Sequence, residues 1–124
     1  MLDTNICIYL IRQSPPEIVN KFNDYRKGEI VISAITWAEL CCGISKDGWG
    51  IVQGLLSILN VCPFGVDQGR LYGELTRRFP NRKANLDRMI AAHAMSLNVT
   101  LVTNNINDFL IYEPTGLRVE NWLA

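Results

Sequence analysis

The sequence predicts an α/β fold with a mostly parallel sheet. Short, apolar, β-branched runs such as EIVISAI and VTLVT have the composition of strands that are buried on both faces. Segments in which apolar residues recur at helical spacing separate these runs along the chain. This alternation is typical of a parallel sheet with helices on both faces. We expect a single domain that spans residues 1–124.

The predicted elements follow one another with clear signals at their ends. Residues 1–2 should form a short first strand, and NICIYLIRQ a helix. SPPEIVNKFNDYRKG predicts a second helix, with Ser14 as its cap and Gly28 beyond its end. A strand (EIVISAI), two helices (TWAELCCGISK and GIVQGLLSIL) and a short edge strand (NVCPF) come next. The rest predicts helices over residues 66–78 and 86–98, a strand (VTLVT), a loop or short helix (NNINDF) and a last strand (LRVENW).

The overall composition is that of a globular protein. Apolar residues make up 48% of the chain, and 12 basic residues balance 12 acidic ones. No run approaches the roughly 18 apolar residues of a membrane span, and no secretion signal opens the chain, so we expect a cytoplasmic protein without membrane contact. The four cysteines lack the spacing of a zinc site, and we interpret them as small buried residues in a reducing compartment.

Basic residues are concentrated in one window of the sequence. From Arg70 to Arg88 there are six basic and two acidic side chains. Such a window indicates either a solvated helix face or a basic surface for an anionic partner.

Four acidic residues stand just beyond predicted strands or at the start of predicted helices: Asp3, Glu39, Asp87 and Asp108. The carboxyl ends of parallel strands meet at one edge of a sheet, so these acids can share one small space. Clustered carboxylates repel one another unless cations neutralise them, and oxygen ligands suit Mg²⁺ or Mn²⁺. These metals can activate a water and bind phosphate oxygens, which makes phosphodiester hydrolysis the reaction that fits best.

Each of these acids also has a purely structural interpretation. TWAE has the form of a capping box, in which Glu39 would bond back to the amide of Thr36. Asp87 could stabilise a helix N-terminus through the macrodipole. Asp108 could be a polar loop residue, and Asp3 could be a helix cap. The joint pattern favours a site.

Other chemistries find less support in the sequence. The only histidine, His93, lies six residues after Asp87, or about 240° around a helix, so we predict a packed and hydrogen-bonded histidine that faces away from that acid. No phosphate-binding glycine motif is present. A phosphatase with an aspartyl nucleophile would need a second acid two residues after Asp3, where Asn5 stands.

Four stretches together resemble the PIN-domain endoribonucleases, and among them the VapC toxins of VapBC toxin–antitoxin pairs. These stretches are MLDTNICIYL, VISAITWAEL, LDRMIAAHAMSLNVTLVTNN and LRVENW. The resemblance implies a PIN-like α/β/α sandwich, RNA cleavage that depends on Mg²⁺ or Mn²⁺, a VapB-type antitoxin and a homodimer. It also implies single-stranded RNA as the substrate, with a transfer RNA anticodon stem-loop expected and initiator transfer RNA favoured.

Within this resemblance, Asp3, Glu39 and Asp87 match three acids of the family. Asp3 and Asp87 would bind the metal, and Glu39 would bind it or hold one of its waters. Either Asn105 or Asp108 would complete the site. The side chains expected to hold the RNA backbone are Arg77, Arg78, Arg82, Lys83 and Arg88. The alternative is a non-catalytic PIN scaffold that binds RNA or an antitoxin.

Overall fold

A computed structural model describes residues 1–80 and 85–123, and it confirms the parallel sheet. Its strands are β1 (Val31–Ser33), β2 (Asn60–Cys62), β3 (Leu101–Val102) and β4 (Val119–Glu120). β1 pairs with β2 and β3 with β4, both in parallel. Leu2 bridges in parallel to Ile32 and to Val102 and thereby joins the two pairs. The short first strand is therefore the centre of the sheet, in the order β2, β1, Leu2, β3, β4.

Seven α-helices connect and cover these strands in the described part of the chain. They are α1 (Thr4–Arg12), α2 (Pro16–Asn23), α3 (Ala34–Gly43), α4 (Trp49–Leu56), α5 (Val66–Arg78), α6 (Leu86–Ser96) and α7 (Ile106–Phe109). Two 3₁₀ turns, Lys46–Gly48 and Leu110–Thr115, precede α4 and follow α7. The predicted order of helices and strands is confirmed, and the 3₁₀ turns are additional.

The apolar core has two layers, one on each face of the sheet. Leu2, Ile32 and Val102 pack in one cluster with residues of α1, α2 and α3. Met1 and Leu101 pack in the other with residues of α5, α6 and α7. Because neighbouring residues of a strand point to opposite faces, this division confirms the α/β/α sandwich.

Several predicted element boundaries are wrong by a few residues, and at two of them the local contacts show why. The strand predicted over EIVISAI ends at Ser33, since the Ser33 hydroxyl accepts a hydrogen bond from the Ile35 N–H (3.0 Å) and caps α3. Ser14 does not cap α2, whose N-cap is Pro15 without a side-chain bond. A proline in the first turn was therefore the better signal than the preceding serine.

The prediction that all four cysteines are buried is confirmed in full only for Cys7. Cys7 is buried and Cys41 and Cys62 are partly buried, whereas Cys42 is exposed, and all four thiols are free. Cys42 follows Cys41 on α3 and so points about 100° away from it, toward solvent.

None of the helices within residues 1–80 and 85–123 combines the length and the apolar character that crossing a membrane requires.

Candidate active site

Asp3 lies at the end of the central strand, where α1 begins. Its backbone N–H donates to the Val102 carbonyl (2.9 Å), which fixes the residue to the sheet. Its Oδ1 accepts a hydrogen bond from the Ile6 N–H (2.9 Å), so Asp3 is the N-cap of α1. The side chain is only 6% exposed. Asp3 is thus a helix cap, and its second carboxylate oxygen is available for other contacts.

Thr103 provides that contact. It follows β3, is fully buried, and donates its hydroxyl proton to Oδ2 of Asp3. The same hydroxyl oxygen accepts a hydrogen bond from the Asn105 N–H (3.0 Å). Thr103 therefore links Asp3 to the loop that carries Asn105. Sequence reasoning missed this residue, although a polar side chain directly after the apolar run VTLV was the available signal.

Glu39 points to the same region from α3. Its Oε1 accepts a hydrogen bond from the Thr4 hydroxyl (2.6 Å), 35 residues away in the chain. The capping-box interpretation is wrong, because α3 begins at Ala34 and Thr36 is already inside the helix. The glutamate is thereby attached to the residue next to Asp3, a contact that the local motif could not reveal.

The charge of Asp3 is affected by its burial and by two other acids. Burial raises the pKa of Asp3 above its ordinary value, and repulsion from the carboxylates of Asp87 and Glu39 raises it further. The hydrogen bonds from Thr103 and Ile6 act in the opposite direction. The Thr4 hydrogen bond therefore places Glu39 beside Asp3, and the charge of Asp87, 84 residues away in the sequence, also acts on Asp3.

Asn105 and Asp108 lie on the loop and short helix that follow β3. Both side chains are exposed, and Asn105 is the N-cap residue of α7 without a side-chain cap bond. The Asp108 N–H donates to the Asn105 carbonyl (3.0 Å). The charges of Asp87 and Glu39 raise the pKa of Asp3. Asn105 is the nearer of the two to Asp3 along the hydrogen-bonded chain through Thr103.

The donor set of this region consists of oxygen atoms, which are the ligands that Mg²⁺ and Mn²⁺ prefer. Within the described residues, no three or more His, Cys, Asp or Glu side chains form a ready-made metal cage. Mg²⁺ does not need one, because it keeps several waters and takes one or two carboxylates directly. A bound cation would offset both the burial of the Asp3 charge and its repulsion from Asp87 and Glu39. The residues present fit such an ion.

His93 is packed inside the protein, as predicted. It is fully buried on α6, its Nδ1 lies 2.7 Å from the Ser33 hydroxyl, and its ring packs edge-on against Phe64. Burial lowers its pKa below the ordinary 6.5. This histidine connects α6 to the N-terminus of α3.

A lowered pKa at His93 predicts a loss of stability in acid. Below pH 6.5 the unfolded chain takes up a proton that the folded protein resists, so the free energy of unfolding should fall as the pH drops from 6.5 toward the folded pKa. His93→Gln should remove this part of the pH dependence and cost about 1–3 kcal/mol at neutral pH. Urea denaturation between pH 5 and about 8 measures both. A turnover about 100-fold lower with normal stability would instead assign a catalytic role to His93.

The side chains predicted to bind RNA differ in their exposure to solvent. Arg77 and Arg78 are exposed in the last turn of α5. Arg82 and Lys83 lie outside the described residues. The prediction for Arg88 is wrong, because its side chain is 0% exposed and its guanidinium bonds to neighbouring helices and turns. A charge-rich window does not reveal which of its side chains points inward.

Comparisons with known proteins agree with this architecture. A PIN domain profile matches residues 1–111. The chain is 37% identical over 131 residues to ribonuclease VapC2 of Rickettsia felis, and the alignment covers 98% of this chain and 96% of the relative. It is 34% identical over 131 residues to tRNA(fMet)-specific endonuclease VapC of Shigella flexneri, with the same coverage. The crystal structure of DNA-bound VapBC from Salmonella typhimurium matches with a TM-score of 0.87 at 32% identity, over 98% of this chain and 96% of that one.

The chain therefore belongs to the PIN-domain family and, within it, to the VapC ribonucleases.

Proposed function

We propose that this chain, as one PIN domain over residues 1–124, is the endoribonuclease toxin of a VapBC toxin–antitoxin pair and depends on Mg²⁺ or Mn²⁺. The observation that supports it best is the position of Asp3 at the carboxyl edge of the parallel sheet, with Glu39 bonded to the adjacent Thr4 and the charge of Asp87 acting on Asp3. The names of the relatives, ribonuclease VapC2 and tRNA(fMet)-specific endonuclease VapC, point to the same activity.

Each acidic side chain would have its own role in metal binding. Asp3 and Asp87 would bind it directly, Glu39 would bind it or hold one of its waters, and Asn105 or Asp108 would complete the site. When bound, Mg²⁺ or Mn²⁺ activates a water and offsets the charge on the phosphate oxygens. Thr103 and Thr4 keep two of the carboxylates in place through their hydroxyl groups. No histidine is required, which agrees with the buried position of His93.

For the substrate, we propose the anticodon stem-loop of a transfer RNA, with initiator transfer RNA favoured. A relative at 34% identity is named a tRNA(fMet)-specific endonuclease. The chain has no net charge, so selectivity must come from bases that are splayed out of a loop. Arg77 and Arg78 are exposed and, together with Arg82 and Lys83, would contact phosphates irrespective of sequence.

The partner would be a VapB-type antitoxin, since a structure of 32% identity is a VapBC complex. A groove beside Glu39 offers it a surface. Apolar residues line this groove, among them Ile8, Ile11, Leu40, Ile44 and Val52. An apolar segment bound here would lie directly against Glu39 and hinder access to it. We also propose that the toxin forms a homodimer.

Glu39→Gln separates a catalytic from a structural role for this acid. The glutamine oxygen can still accept the Thr4 hydrogen bond, so the free energy of unfolding should change by less than about 1 kcal/mol. Loss of the charge should lower RNA cleavage by about 100-fold or more. Glu17→Gln, at an exposed position of α2, is the matched control and should keep full activity. Full activity in Glu39→Gln would show that Glu39 is structural.

The experiment that tests the proposed function incubates purified, antitoxin-free protein with total bacterial RNA and Mn²⁺ and maps new RNA ends by sequencing. We expect ends at one or two bonds of an anticodon stem-loop. Cleavage at other sites would refute the proposed substrate but not the proposed ribonuclease activity. Mn²⁺ binding by folded protein without any new ends would favour the non-catalytic scaffold.

A further inference from the structure

Arg88 is a fully buried arginine whose described bonds hold the start of α6 from two sides. Its backbone N–H donates to Oδ1 of the N-cap residue Asn85 (3.0 Å). Its guanidinium donates through Nε to the Tyr112 hydroxyl (3.1 Å), through Nη1 to Thr76 Oγ1 (3.2 Å) and through Nη2 to the Phe79 carbonyl (3.3 Å). One side chain therefore bonds to three groups outside its own helix.

These three groups come from α5 and from the segment that follows α7. Thr76 and Phe79 belong to the last turn of α5 and its C-cap. Tyr112 lies in the 3₁₀ turn that continues α7, downstream of Asn105 and Asp108. The rings of Phe79 and Tyr112 pack edge-on with centroids 5.4 Å apart. Arg88 thus connects α5, α6 and the segment after β3 at one buried point.

Burying a guanidinium carries a large desolvation cost, and the hydrogen bonds to Tyr112, Thr76 and Phe79 offset part of it. A long apolar side chain would fill the same space without that cost. The guanidinium restricts the geometry instead, because its N–H donors lie in one plane and bond well to acceptors in only a few positions.

We infer that Arg88 is a positioning residue for Asp87, which immediately precedes it in the first turn of α6. Its bonds fix this turn against α5 and Tyr112, and so fix where the Asp87 carboxylate stands relative to Asp3. The inference rests on the metal-binding role proposed for Asp87. A shift of a ligand by about 1 Å is enough to lower activity by orders of magnitude.

The test compares Arg88→Met with Leu75→Ala in metal-free protein and with Mn²⁺. Methionine keeps a long apolar side chain but removes the guanidinium bonds, while Leu75 is a buried residue of α5 outside these bonds. Arg88→Met should weaken Mn²⁺ binding, measured by calorimetry, by about 10- to 100-fold. It should also speed amide exchange in the first turn of α6. Leu75→Ala should lower stability but leave Mn²⁺ affinity unchanged. Equal Mn²⁺ affinity in wild type and Arg88→Met would overturn the inference.

If Arg88→Met does not fold, the double variant Tyr112→Phe with Thr76→Val replaces it. This variant removes two hydrogen-bond acceptors and should weaken Mn²⁺ binding in the same direction. Unchanged affinity there would overturn the inference as well.

Asp87→Asn separates the positioning role inferred for Arg88 from the metal-binding role proposed for Asp87. If Asp87→Asn loses Mn²⁺ binding and Arg88→Met keeps it, only the positioning role fails. If Asp87→Asn keeps both Mn²⁺ binding and RNA cleavage, the role proposed for Asp87 fails, and the inference fails with it.

Discussion

Asp3→Asn is expected to abolish RNA cleavage while the protein remains folded. Asparagine has the same shape, and its Oδ1 can still cap α1 by accepting from the Ile6 N–H. The variant loses the negative charge that the metal requires, so turnover should fall by about 10²- to 10³-fold or more. Loss of growth arrest in cells and of cleavage in vitro would be measured together. Growth arrest equal to that of the wild type would contradict the assignment of Asp3.

The same variant should be at least as stable as the wild type without metal. The pKa of Asp3 is raised mainly by burial, so its ionised form opposes folding at neutral pH. In the wild type, the free energy of unfolding should therefore rise as the pH falls through this raised pKa toward the ordinary value of 3.8. Asp3→Asn should remove this contribution. Denaturation of both proteins across this pH range in EDTA is the measurement, and clear destabilisation of the variant at pH 7 would contradict the argument.

Asp87→Asn is the second variant with a large expected effect. As a ligand, Asp87 should be as necessary for cleavage as Asp3, and its loss should weaken Mn²⁺ binding. As a residue that only complements the helix dipole, it would cost about 0.3–1 kcal/mol of stability and leave cleavage intact.

Asp67→Asn is the matched control for Asp87→Asn. Asp67 also stands in the first turn of its helix, α5, and is exposed. Asp67→Asn should show the small dipole effect alone. If the two variants cleave RNA equally well, Asp87 is not part of the site.

The order of elements could be predicted from the sequence because each strand and helix has its own apolar period. The stretches EIVISAI and VTLVT contain the strands β1 and β3, whose apolar composition follows from the helices that cover both faces of the sheet. The edge at which the acids meet followed from parallel topology alone. The capping-box interpretation of Glu39 and the RNA-binding prediction for Arg88 failed because a local sequence motif suggested one role, whereas a contact with a residue distant in the sequence determines the structure.

Glu39 shows this competition directly. The motif TWAE describes a capping box, but Ser33 caps the helix three residues earlier and Glu39 is free to bond to Thr4. Arg88 is a second example, because a window with six basic residues does not indicate which of them is buried against α5. Thr103 was missed because its position directly after VTLV indicates the end of a strand but not the bond to Asp3. These contacts depend on how the helices and strands pack, which a short sequence motif does not predict.

The metal dependence of RNA cleavage tests the central claim most directly. Purified, antitoxin-free protein would be incubated with initiator transfer RNA in EDTA and then with increasing Mg²⁺ or Mn²⁺, alongside Asp3→Asn. A site of oxygen ligands predicts no cleavage in EDTA, recovery with either metal at one or two bonds of the anticodon stem-loop, and no recovery in the variant. Cleavage that persists in EDTA, or that Asp3→Asn retains, would contradict the account.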